Sequence, residues 1–221
     1  MAGDLEDDRH TPVFFISHAR PPRTASAGEP QERYRHVKRF FDDLTGNVNE
    51  LIGSSPGQVA GFVDVAEDGG VRWPDQVLRV AGTCQVLVCL LSTDYLFRSK
   101  WCVREWDAFS RRRVVRRVTG EPDGETAIVP VLWAPFLRPL PPEFAEINRF
   151  TPMGMPDSRY NAMYQENGVL GLLRTRQDDV YDTVVWKLAM HIQRIHHFYH
   201  VEPSVLSSFD GLRTTFGKED G

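Results

Sequence analysis

Long apolar runs, paired cysteines and a surplus of basic charge are all missing from this chain. The apolar run Val86–Leu91 falls far short of the about 18 residues that a membrane span requires. The acidic N-terminus, Met1 to His10, lacks the apolar core of a signal peptide, so none is expected. Three cysteines (Cys84, Cys89 and Cys102) form no Cys-x-x-Cys pair and leave an odd count. This argues against a disulfide framework and against a zinc site, and makes a reducing cytoplasm the expected compartment. A net charge of −4 argues against a dedicated nucleic-acid binder. What is there is ordinary: 221 residues, 41% hydrophobic and 25% charged, suit one domain with a proper core. Neither an internal repeat nor a second domain is visible.

Residues up to about Thr11 read as a disordered acidic lead-in, residues 12–200 as one domain, and residues 201–221 as a loosely ordered tail. Short apolar runs bounded by polar residues mark buried strands. They are Val13–Ser17, Ala60–Asp64, Gln85–Leu91 and Ala127–Trp133, with Arg149–Thr151 as a short fifth. Pro130 removes a ladder donor, which places the fourth strand near an edge or at the strand's end. Between them, Val37, Phe40, Phe41, Leu44, Val48, Leu51 and Ile52 fall at helical spacing. Pro74 marks the start of a second helix, and another begins near Ser99. The final helix opens on Asp178 and Asp179, which suit a helix N-terminus, and buries Tyr181, Val184, Val185, Leu188, Ile192 and Ile195. Strands alternating with helices imply an α/β fold of parallel strands joined by right-handed crossovers. The expected form is a flavodoxin-like, doubly wound five-stranded sheet, order 2-1-3-4-5, with helices on both faces.

The stretch Ser92–Trp106 is the most informative. The run Val86–Leu91 stops at Ser92, a polar loop follows, and the helix from Ser99 puts Trp101 and Glu105 four apart on one face. That face lies near the carboxyl end of a strand, where open α/β sheets bind their ligands. An ordinary amphipathic helix with a core Trp and a solvated Glu fits the same spacing.

Three segments together resemble the TIR (Toll/interleukin-1 receptor) domain family, and the likeness runs along almost the whole chain. Phe14-Phe15-Ile16-Ser17-His18 is similar to the family's first box. Phe62-Val63-Asp64 with the Gly69–Trp73 loop resembles its second strand and BB loop. Ser92-x-x-Tyr95-x-x-Ser99-x-Trp101-Cys102-x-x-Glu105 resembles the segment that carries the catalytic glutamate of NAD-cleaving members. The late segment Gly171-Leu172-Leu173-Arg174 looks similar to the actinobacterial TIR-like proteins of peptide-maturation clusters. His18 departs from the usual tyrosine, and the loops Arg20–Pro30 and Trp133–Asp178 are longer than the family pattern.

The resemblance implies a bacterial NAD+ hydrolase or cyclase that breaks the nicotinamide–ribose bond in defence or stress signalling and is activated by self-association. NAD would be a substrate, with no cofactor and no metal. Glu105 is then the catalytic carboxylate and Trp101 a wall for ribose or base. Trp73 would face nicotinamide, or else plug the start of the next helix. Asp64 would bond the adenosine side, or cap a turn. His18 and Arg20 would meet phosphates, Ser17 would assist with its backbone or hydroxyl, and Ser92 would line the pocket. The Gly69-Gly70 pair would let its loop act as a lid. The rival is a TIR adaptor that binds other TIR domains without chemistry, and fold alone does not choose between them. Two further signals are discounted. The basic run Arg111–Arg117 reads as the exposed end of the Trp101 helix, and His196 with His200 as a partly exposed helix end rather than a metal clasp.

Overall fold

The short apolar runs of the sequence become parallel strands that lie side by side in one sheet. The computed structural model describes residues 11–20, 29–53, 60–64, 74–122, 124–144 and 147–217. Strand β1 (Phe14–Ser17) pairs with β2 (Gly61–Val63) on one side and with β3 (Val86–Leu91) on the other. Strand β5 (Ile128–Leu132) continues the sheet from β3, with Cys89 opposite Pro130. Every residue of β1, β3 and β5 is buried, as expected for parallel strands covered on both faces. Pro130 therefore sits on an edge strand, where its missing amide breaks no second ladder.

Helices cover the sheet in two layers. Helix α1 (Glu29–Ile52) buries Val37, Phe40, Leu44 and Val48 and packs on α6 (Asp178–Phe198), which packs in turn on α5 (Ser158–Arg174). Arg39 reaches Asp178 at 3.0 Å, and the Tyr181 hydroxyl donates to Asp43 at 2.7 Å. On the other side, α2 (Pro74–Thr83) packs on α4 (Lys100–Ser110). Right-handed crossovers from β1 to β2 and back to β3 require α1 and α2 to lie on opposite faces. Among the described residues no helix is long and apolar enough to cross a membrane.

Several elements differ from the sequence reading. Arg149–Thr151 forms no strand; the Phe150 amide makes a bond of 2.8 Å to the Pro130 carbonyl, and the parallel sheet of the described residues stops at four. The loop after Ser92 contains a short helix, α3 (Thr93–Phe97), because the Ser92 hydroxyl caps the Tyr95 amide. Ser99 caps Cys102 in the same way and starts α4. Helix α5 was hidden by its composition. Gly168 interrupts it at φ 63°, ψ 175°, and a Cβ there would lie 2.6 Å from the Trp133 carbonyl oxygen. This close approach lets the Leu170 amide bond to that oxygen at 2.9 Å, tying α5 to the end of β5.

The basic run is not a helix end. Helix α4 stops at Ser110, and Val114–Arg116 forms β4, paired antiparallel with β6 (Tyr199–Val201). Arg112 is buried and donates to four carbonyls, of Ala81, Cys84, Val201 and Glu202, at 2.7–3.1 Å. The described residues after β6, 202–217, form no regular element, yet they lie across α4 and the turn Pro142–Phe144.

Candidate functional site

Side chains alternate across a strand, and that alternation divides the expected site residues at the end of β1. Ser17 points to the α4 face and donates its hydroxyl proton to Glu105 Oε2 at 2.6 Å. His18, one residue on, points to the α1 face, edge-on to Tyr34 with ring centroids 6.3 Å apart. Two neighbouring sites result.

The first is a closed polar cluster. Glu105 is 2% exposed and Ser17 1% exposed. Ser17 has one proton and gives it to Glu105, so the Tyr95 hydroxyl, 3.2 Å from Ser17 Oγ, must be the donor of that pair. Tyr95 is fully buried, and burial holds its phenol well above the ordinary tyrosine value. Cys89 lies beside Ser17 in the ladder; burial pushes its thiol up, and Tyr95 bonds to it. The cluster orients one oxygen of Glu105 through a hydroxyl that is itself held by a second hydroxyl.

The second is an open cleft of about 230 Å³ at the carboxyl ends of β1, β3 and β5. His18, Tyr34, Ser92, Trp133, Pro135 and Leu170 contribute to its walls, whereas Glu105 and Trp101 do not. Its volume suits one ring system rather than a whole dinucleotide. Burial lowers the His18 imidazole to about 4, so at neutral pH it is an uncharged hydrogen-bonding group, with Nε2 3.3 Å from the Asp64 carbonyl. His18 therefore brings no positive charge for the phosphate role expected of it. Arg20, two residues on from His18, forms a 2.5 Å ion pair with Asp64. Both side chains are partly exposed, although the Arg20 Nη2 that makes the pair is itself shielded from solvent.

Of the expected residues, the fold brings Ser17 and Glu105 together, sets His18 and Ser92 in the cleft, and pairs Arg20 with Asp64. Trp101 is half-buried one turn before Glu105, but its exposed face meets Phe209 of the tail edge-on at 4.8 Å. Trp73 and the Gly69-Gly70 loop lie outside the described residues. Tyr95, Tyr34 and Trp133 went unassigned in the sequence reading. The aromatic at position 95 inside the Ser92–Glu105 segment was the available signal for the first; nothing local marks the other two. His196 lies in the last turn of α6 while His200 lies in β6, and among the described residues no group of three or more His, Cys, Asp or Glu side chains is placed to hold a metal ion.

No protein-family model matches the chain, and no curated protein matches it.

Proposed function

We propose that this protein is a TIR-type NAD+ hydrolase or cyclase in which Glu105 stabilises the ribosyl cation as nicotinamide leaves. The observation that carries the reading is the buried Glu105 carboxyl group, oriented by Ser17 at 2.6 Å at the carboxyl edge of a parallel sheet. The order β2-β1-β3-β5 corresponds to the first four positions of the flavodoxin-like arrangement expected from the alternation of strands and helices.

The chemistry needs only one carboxylate. Cleaving an ordinary glycoside uses two, one of them to protonate a poor leaving group. Nicotinamide in NAD is a cationic pyridinium and departs neutral, so no general acid is required. The remaining task is to offset positive charge that builds on the ribose. A carboxylate about 4 Å from that charge contributes on the order of 4 kcal/mol at an effective dielectric near 20, roughly a thousandfold in rate. The cleft beside His18 and Ser92 would hold one ring of the substrate, and the Arg20–Asp64 pair would meet its polar middle.

A non-catalytic adaptor that binds other TIR domains is the second reading. It is favoured by the closure of Glu105, which is 2% exposed and separate from the open cleft. The two part on one experiment. Concentrated protein is incubated with NAD and the products are separated by chromatography, wild type beside Glu105→Gln, which keeps the shape and can still accept the Ser17 proton. The hydrolase reading expects nicotinamide from the wild type and a loss of about a thousandfold in the variant. Equal release by both, or none from either, favours the adaptor.

A further inference from the structure

Helix α4, whose Glu105 turns inward to Ser17, is covered along its Trp101, Arg104 and Asp107 positions by the chain's own C-terminal segment. Between Val201 and Gly217 there is no helix or strand, so the segment is held by its side chains and a few backbone bonds. Two aromatic anchors stand out. Phe209 meets Trp101, and Arg104 lies over both rings at 5.2 and 5.8 Å. Phe216 stacks on Tyr95 at 6.2 Å and packs edge-on to Trp106 at 5.8 Å and to Phe144 at 5.0 Å.

Two carboxylates of the body clasp the segment between and beyond these anchors. Asp107 accepts the Arg213 amide at 3.0 Å, and Arg111 bridges Asp107 to the Gly211 carbonyl. Glu143 accepts the Gly217 amide at 2.9 and 3.0 Å and the Arg213 guanidinium at 3.1 Å.

Each anchor covers a neighbour of Glu105: Trp101 one turn before it, Trp106 next to it, and Tyr95, which reaches it through Ser17. The body side of the contact is buried at Tyr95 and Trp106, whereas Phe209 and Phe216 stay partly exposed. Leu212 is the one residue of Ser207–Gly217 buried with the core; the rest is partly or fully exposed and without secondary structure, so the segment can lift without unravelling the sheet. We infer that Ser207–Gly217 is a displaceable strap that shuts the Glu105 site, and that its release gives ligand access to the carboxylate. This inference rests on the reading of Glu105 as the reacting group.

The test removes residues 207–221 and follows two readouts, NAD cleavage and labelling of Glu105 by a water-soluble carbodiimide with an amine, located by mass spectrometry. A strap that is seated most of the time leaves a minor open fraction, so its removal should raise both signals by about tenfold or more. Adding the 207–221 peptide back should suppress both. Increased labelling without any cleavage keeps the strap and sinks the NAD reading. Cleavage that is equal in full-length and shortened chains, with unchanged labelling, overturns the strap and leaves the NAD reading intact. If the shortened chain does not fold by circular dichroism, the full-length Phe209→Ser, Phe216→Ser double variant is scored by the same two readouts and the same outcomes.

Discussion

His18 is a histidine that burial keeps neutral, and the consequence is a pH-dependent stability. In the folded chain its imidazole is lowered to about 4, mainly by desolvation. In the unfolded chain it titrates near the ordinary 6.5. Between those values the unfolded state takes up a proton that the folded state refuses, so stability is complete above about 6.5 and falls as the pH drops towards 4. The window corresponds to on the order of 3 kcal/mol. Urea unfolding at neutral and at mildly acid pH should show this slope, and His18→Gln should flatten it. Burial also lowers His191, which will keep part of the slope in the variant. An unaltered slope in His18→Gln would place the acid sensitivity elsewhere.

Elements in this fold are joined by one residue more than by any other in the basic run. Arg112 reaches the carbonyls at the end of α2 and at the end of β6, closing the seam between the parallel sheet and the β4–β6 ribbon. Removing it strands several buried carbonyls at once, each costly to leave unpaired. Arg112→Ala should lower unfolding free energy by about 3 kcal/mol or more. Arg113, whose side chain is 56% exposed on a pair with Glu202, offers a control. Its replacement by alanine should change stability by about 0.5 kcal/mol or less. Denaturant titrations of the two variants decide the matter, and similar losses would refute the assignment.

At the scale of the whole molecule, the open cleft is too small for the proposed substrate. About 230 Å³ accepts one ring, so under the proposed function the remainder of NAD would be held by surfaces beyond those walls. Activation by self-association, which the resemblance implies, would supply such surfaces from a second copy. Nicotinamide release per molecule should therefore rise with protein concentration in a dilution series. A rate per molecule that stays flat while cleavage persists would argue for a site complete within one chain.

Local chemistry alone determined much of this protein. Continuous apolar runs marked β1, β3 and β5 because strands buried on both faces carry no polar period. The 3.6-residue period marked α1 and α6, and Ser99 marked the start of α4 because a hydroxyl there caps an amide. The four-residue spacing of Trp101 and Glu105 was equally legible. Tertiary structure decided the rest, because these contacts join positions that no local period relates. Ser17 and Glu105 are 88 residues apart in sequence, Arg112 and the Val201 carbonyl 89, and Arg213 and Asp107 106. Helix α5 escaped detection because Gly168 breaks its period in order to meet the Trp133 carbonyl. The tail, whose polar composition reads as loose, found its seat only because the crossovers had already gathered Tyr95, Trp101, Trp106 and Phe144 onto one surface.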